Sequence, residues 1–120
     1  MPFNTKVQHF STTDVVVASA PRTVTGASAA LAGYGPAKVL RAQLDVTAAA
    51  GTAPTLNVVL EDSLDGVNFN PIGLFAQRVA VGREVINIAV PFANTLRVSW
   101  TITGSAGQSF TFSVVLFAEV

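Results

Sequence analysis

Apolar and polar residues alternate with a period of two over most of this chain, which is the spacing of a strand with one wet face. Lys38–Thr47 reads KVLRAQLDVT, with Leu40, Ala42, Leu44 and Val46 on one side and Val39, Arg41, Gln43 and Asp45 on the other. Leu56–Asp62 repeats the pattern with Leu56, Val58 and Leu60 inward and Asn57, Val59 and Glu61 outward. Thr95–Thr103 (TLRVSWTIT) turns Leu96, Val98, Trp100 and Ile102 inward. Ser109–Glu119 (SFTFSVVLFAE) does so with Phe110, Phe112, Val114, Leu116 and Ala118. A helix would need a period of 3.6, which these runs lack.

The remaining segments fit the same class. Thr13–Ala20 (TDVVVASA) reads as a first strand, with Arg22–Thr25 continuing it or pairing beside it. Gly26–Pro36 is rich in small residues and reads as a loop with one helical turn around Ala29–Leu31. Ala48–Pro54 (AAAGTAP), Leu64-Asp65-Gly66 and Gly104-Ser105-Ala106-Gly107 read as turns, where Gly supplies the positive φ that tight reversals need. Val67–Phe75 is strand-like but carries Pro71, which cannot donate to a ladder, so it belongs at an edge or a bulge. Glu84–Val90 alternates again. The expectation is an all-β, single-domain sandwich or jelly roll of seven or eight antiparallel strands spanning residues 13–120. Residues 1–12 (MPFNTKVQHFST) lack a pattern and are expected to form an N-terminal arm.

Composition sharpens the picture. The 120 residues include 7 basic and 7 acidic side chains, no cysteine and one histidine. Zero cysteine excludes a disulfide scaffold, a thiolate metal site and a cysteine nucleophile. A net charge of 0 lacks the basic footprint of a nucleic-acid binder. No apolar run is long enough for a spanning helix, and Asp14 and Pro21 spoil the one weak leader-like stretch, so neither a membrane segment nor a signal peptide is expected. Only 12% of the residues are charged, against about 25% in an ordinary soluble domain. A surface of Ser, Thr, Asn, Gly and Ala with exposed apolar area suits an assembly.

Candidate chemistry is sparse. His9 would have to serve any Ser-His-Asp triad from within the arm, where rigid positioning is lacking. Glu61, Asp62 and Asp65 cluster around a turn and raise the question of a hard cation. Their spacing matches no calcium loop, and a solvated turn whose Asp side chains hydrogen-bond nearby backbone amides is the favoured reading. Adjacent Glu61 and Asp62 point to opposite faces and cannot flank one glycosidic bond. Trp100 lies in the inward register, while Phe69, Phe92 and Tyr34 are the aromatics to weigh for exposure and sugar stacking. Arg41, Arg78, Arg83 and Arg97 are dispersed, as surface or interface pairs would be. In the arm, Phe3, Val7 and Phe10, with His9 beside them, are the expected contacts to a neighbouring subunit. No enzyme, cofactor or metal is expected.

Two stretches carry a resemblance. LDVTAAAGTAPTLNVVLEDSLDGVNFNPIGLF (Leu44–Phe75) and VPFANTLRVSWTITGSAGQSFTFSVVLFAEV (Val90–Val120) resemble small all-β structural proteins of tailed bacteriophages, of the capsid decoration (cement) kind. The shared features are a T-x-P-T-L turn, an S-x-D-G-x-x-F hairpin and the closing LRVSWTI…SFTFSV pair. The resemblance implies a structural virion protein on the phage head surface, made in the host cytoplasm. Its expected partners are the major capsid protein and itself, as a homotrimer. The alternatives are a tail, neck or baseplate component, and a carbohydrate-binding sandwich module.

Overall fold

A computed structural model describes residues 11–34, 37–89 and 91–119. Among them are six strands and no helix: β1 (Ser11–Arg22), β2 (Gly26–Ala27), β3 (Val39–Ser63), β4 (Asn70–Leu74), β5 (Gly82–Asn87) and β6 (Thr95–Glu119). Every strand pairing is antiparallel. The fold is an all-β sandwich, as the alternation requires. Strand pairing reaches back to Ser11 and Thr12, which lie opposite Glu119 and Ala118.

The architecture rests on β3 and β6, each 25 residues long and paired along their whole length. The first half of β3 pairs with the second half of β6, from Val39 opposite Glu119 to Ala50 opposite Ser109. Beyond a corner the same two strands pair again, from Thr55 opposite Thr103 to Ser63 opposite Thr95. Around the first half, β1 adds beside β6 and β5 beside β3, giving a sheet ordered β1-β6-β3-β5. Around the second half, β2 adds beside β6 and β4 beside β3, giving β2-β6-β3-β4.

The ribbon doubles back at the corner. Trp100 and Phe112 are twelve positions apart on β6, which would separate them by about 40 Å along a straight strand. Their rings instead meet edge to face at 5.6 Å. The inward residues of both halves therefore form one core. Leu44, Val46, Leu56, Leu60, Leu96, Val98, Phe110, Phe112, Val114 and Leu116 are all fully buried in it. Gly73 of β4 also abuts Ile86 of β5 and Ile88 just beyond it, so that an added Cβ would overlap the Ile88 Cδ1 and lie 3.0 Å from the Ile86 Cδ1.

The corner overturns two expectations from the sequence. Ala48–Pro54 and Gly104–Gly107 are not turns between separate strands; they lie opposite each other as irregularities at which two continuous strands double back together. Gly51 (φ 106°), Ala53 (φ 47°), Gly104 (φ 141°), Ala106 (φ 57°) and Gly107 (φ 78°) all take positive φ there. Left-handed backbone costs about 1–2 kcal/mol at a non-glycine residue, so the two alanines hold real strain. At Gly51 even a methyl group would lie 2.6 Å from the Gln108 Cα. The strand count falls from seven or eight to six because four expected strands are two long ones, while β2 is new. Gly26–Ala27 pairs with Trp100 and Ser99, and Leu31 bridges Leu96, so the expected helical turn is replaced by extended chain. Pro71 behaves as expected: it sits on an edge strand, at the register shift opposite Glu61.

Candidate interaction surface

The outward side of the β1-β6-β3-β5 sheet is set by register. One row across it reads Thr13, Phe117, Arg41, Asn87, and the next reads Val15, Val115, Gln43, Val85. A third row holds Ser113, Asp45 and Arg83, and Val39 lies one step before the first, beside Glu119. Val15, Val39 and Val85 are 64%, 37% and 43% exposed, with Val115 and Phe117 half-buried between their neighbours. Thr13, Arg41, Gln43, Val85, Val115 and Phe117 surround a shallow depression of ≈ 290 Å³. Five large apolar side chains thus stand on a face that the strand pattern points at solvent. Desolvating such a band is favourable, which makes it a candidate contact surface.

Its charges are few and placed at its flanks. Asp45 pairs with Arg83 at 3.6 Å, while Arg41 is exposed and has no ion pair among the described residues. The outer side of the other sheet is different. There Thr55, Asn57, Ser99, Thr101 and Thr103 predominate, Arg97 clasps Glu61 at 2.9 Å, and only Val59 and Leu74 are large and aliphatic.

The residues singled out from the sequence fall as follows. Phe3, Val7, His9 and Phe10 lie outside the described residues. The three carboxylates around the β3–β4 turn do not converge. Glu61 is held by Arg97, Asp62 accepts the Ala93 amide at 2.8 Å, and Asp65 caps its own turn. The Asp65 Oδ1 accepts the Val67 and Asn68 amides at 2.8 Å and the Ser63 hydroxyl at 3.0 Å. Those donors, the Asn68 amide foremost, hold the Asp65 carboxyl well below the usual carboxylate range. Among the described residues no three His, Cys, Asp or Glu side chains are grouped to hold a metal.

The aromatics are also engaged. Trp100 packs on Phe112 and donates from its indole to the Val24 carbonyl at 3.1 Å, and the Arg22 guanidinium lies over both rings. Phe69 lies under Arg97, whose guanidinium sits 4.0 Å from the ring centre. Phe92 is partly buried against the core, and Tyr34 is only 7% exposed. The Tyr34 hydroxyl donates to Asp14 beside a cavity of ≈ 450 Å³ between β1 and residues 31–34. Burial first, and then the Asp14 carboxylate, push its phenol above the usual tyrosine range. Tyr34 is thus too buried to offer an open ring for sugar stacking, and Arg97 covers one face of Phe69. The ion pairs Arg78–Glu84 (3.2 Å), Arg83–Asp45 and Arg97–Glu61 confirm that three of the dispersed arginines serve surface pairs.

Sequence reasoning passed over the apolar face because each of its members sits between core residues of stronger signal. The clue was present in the last strand. Its outward positions run Ser109, Thr111, Ser113 and then switch to Val115 and Phe117.

No protein-family model and no curated protein matches the chain. Solved structures do. A chain of the infectious bursal disease virus VP2 subviral particle aligns over 100% of this chain and 36% of its own length, at 11% identity and a TM-score of 0.64. Desmodium yellow mottle tymovirus aligns over 99% and 89%, at 12% identity and a TM-score of 0.52. The fold is shared with proteins of virus particles. A chain from the capsid of Ralstonia phage GP4 aligns over 95% and 84% at 21% identity, but its TM-score of 0.45 does not establish a common fold. This chain spans about a third of the length of the bursal disease virus chains it matches.

Proposed function

We propose that this protein is a structural component of a virion, and in finer form a capsid decoration (cement) protein of a tailed-phage head. The observation that carries the reading is the apolar band Val15, Val115, Val85, Phe117 and Val39 on the outside of a sandwich whose fold recurs in virus particles. The low charge of the surface and the resemblance of Leu44–Phe75 and Val90–Val120 to phage structural proteins support it. The role is non-catalytic and takes no cofactor. The major capsid protein is the partner, and three copies meet at three-fold positions of the shell. Reinforcement follows from mass action: contacts made only with the assembled shell stabilise that state relative to the dissociated one.

The test is direct. Phage heads assembled without the protein are incubated with it, sedimented, and heated while DNA release is followed. Retention on heads with release shifted upward by several degrees is expected. Retention on tails or necks instead would overturn the decoration role and leave a different virion component. Retention on neither would overturn the structural reading.

A further inference from the structure

We propose that the outer face of the β1-β6-β3-β5 sheet binds a second copy of this chain, in a two-fold contact that packs the same face against itself. The argument begins with the central row, Val15, Val115, Gln43 and Val85, which crosses all four strands. A two-fold axis along this row sets each strand over its own copy and reverses its direction. Val15 then faces the partner's Val15, and Val85 the partner's Val85. The rows on either side exchange places, because they lie one pleat repeat above and below the axis. Row Thr13, Phe117, Arg41, Asn87 of one copy comes to lie over the partner's row Ser113, Asp45, Arg83.

The exchange is what favours a second copy. It brings Arg41, which has no ion pair among the described residues, over the partner's Asp45, and by symmetry Asp45 under the partner's Arg41. Two complementary pairs therefore form without any new residue, as an isologous contact requires. The other in-plane axis, along the strands, places Arg41 over the partner's Phe117 and Val115 over the partner's Gln43, which wastes both the charge and the valines. Sheets pack face to face in this way at a separation of about 10 Å and a small crossing angle.

The size of the face sets the strength. Four strands at about 4.8 Å spacing, over the eight steps from Val39 to Thr47, cover roughly 500 Å² per copy. A total near 1,000 Å² is the lower bound for a specific interface, so the dimer is reversible. This contact closes at two copies. It is a different symmetry operation from a three-fold cluster, and it competes with the proposed shell contact for the same face.

The experiment is sedimentation equilibrium of the full chain over a concentration series, with circular dichroism to check folding. The wild type is expected to show a monomer–dimer equilibrium. Arg41→Glu and Asp45→Lys are each expected to weaken it about tenfold or more, since each sets like charges across the axis. Their equimolar mixture is expected to restore dimer, because in the mixed dimer the two reversed charges meet at one pair and the native Asp45 and Arg41 meet at the other. Val15→Glu, on an exposed edge position, supplies a second route by placing two carboxylates face to face. A wild type that stays monomeric throughout, trimers insensitive to both charge reversals, or a mixture that fails to recover would each overturn the proposal. Head retention is read separately, so failure of the dimer and failure of shell binding are told apart.

Discussion

The two outer faces of the sandwich are made largely by the same two strands, and they have opposite characters. On one side of the corner, β3 and β6 turn Val39, Val115 and Phe117 outward and gain Val15 and Val85 from β1 and β5. On the other side they turn out Thr55, Asn57, Ser99, Thr101 and Thr103. The inward sides of both halves are equally buried and equally apolar. Folding alone therefore explains the inner sides, since a core needs both. It explains only one of the outer ones. A polar outer face is what a solvated sheet requires, whereas an apolar one costs solubility and signals a contact made elsewhere.

The most severe way to break the comparison is to remove what holds the halves together. Phe112 is fully buried and meets Trp100 across the fold. Phe112→Ala should cost about 3–5 kcal/mol, through lost burial and the cavity left behind. The loss is read from the denaturant midpoint, and both sheets should unfold together because they share the core. Exchange that loosens one sheet and spares the other would show that the halves are separate units.

A smaller effect is expected at the corner itself. Gly51 combines a φ of 106° with a backbone neighbour 2.6 Å from any added Cβ. Gly51→Ala should lose about 2–3 kcal/mol, more than Gly66→Ala, whose added methyl would enter open space. Equal losses at the two sites would mean that crowding against Gln108 plays no part and that φ alone sets the cost.

The corner also marks where the sequence stops being legible. Period-two alternation places nearly every core residue correctly, because the pleat dictates which face a residue takes whatever its partner is. AAAGTAP and GSAG, however, read the same whether the chain reverses or bends. Only the partner strand decides between them, and Ala50 opposite Ser109 is a pairing across about half of the chain. The contact face was hidden for the same reason. Val15, Val115 and Val85 become one row only when β1, β6, β3 and β5 are set side by side. The switch from Ser113 to Val115 and Phe117 is a local signal, but it does not say what lies next to it.

Surface substitutions sharpen the contrast without disturbing the fold. Val85 on one face is 43% exposed and Leu74 on the other is 68% exposed. Val85→Lys and Leu74→Lys should each leave stability within about 0.5 kcal/mol. Only Val85→Lys should weaken self-association, by about tenfold, in the same sedimentation series. If Leu74→Lys does so equally, the apolar character of the first face has no special role.

The gentlest probe acts through Asp65, which belongs to the turn between β3 and β4 and so to the polar-faced sheet alone. Its carboxylate accepts amide hydrogens from Val67 and Asn68, and its folded-state pKa lies below the ordinary value. A group depressed on folding contributes its full stabilisation above the unfolded pKa, near 4 for Asp, and loses it as pH falls from there through the folded value. Asp65→Asn removes that contribution at every pH. The gap between wild type and variant in denaturant midpoint should therefore be constant from about pH 7 to pH 5 and close progressively in more acidic solution. Hydrogen exchange should place the acid-induced loosening at residues 63–70 while the β1-β6-β3-β5 sheet stays protected. A gap that ignores pH would show that the side chain caps the turn by shape and not by charge, and would leave the two sheets equally indifferent to acid.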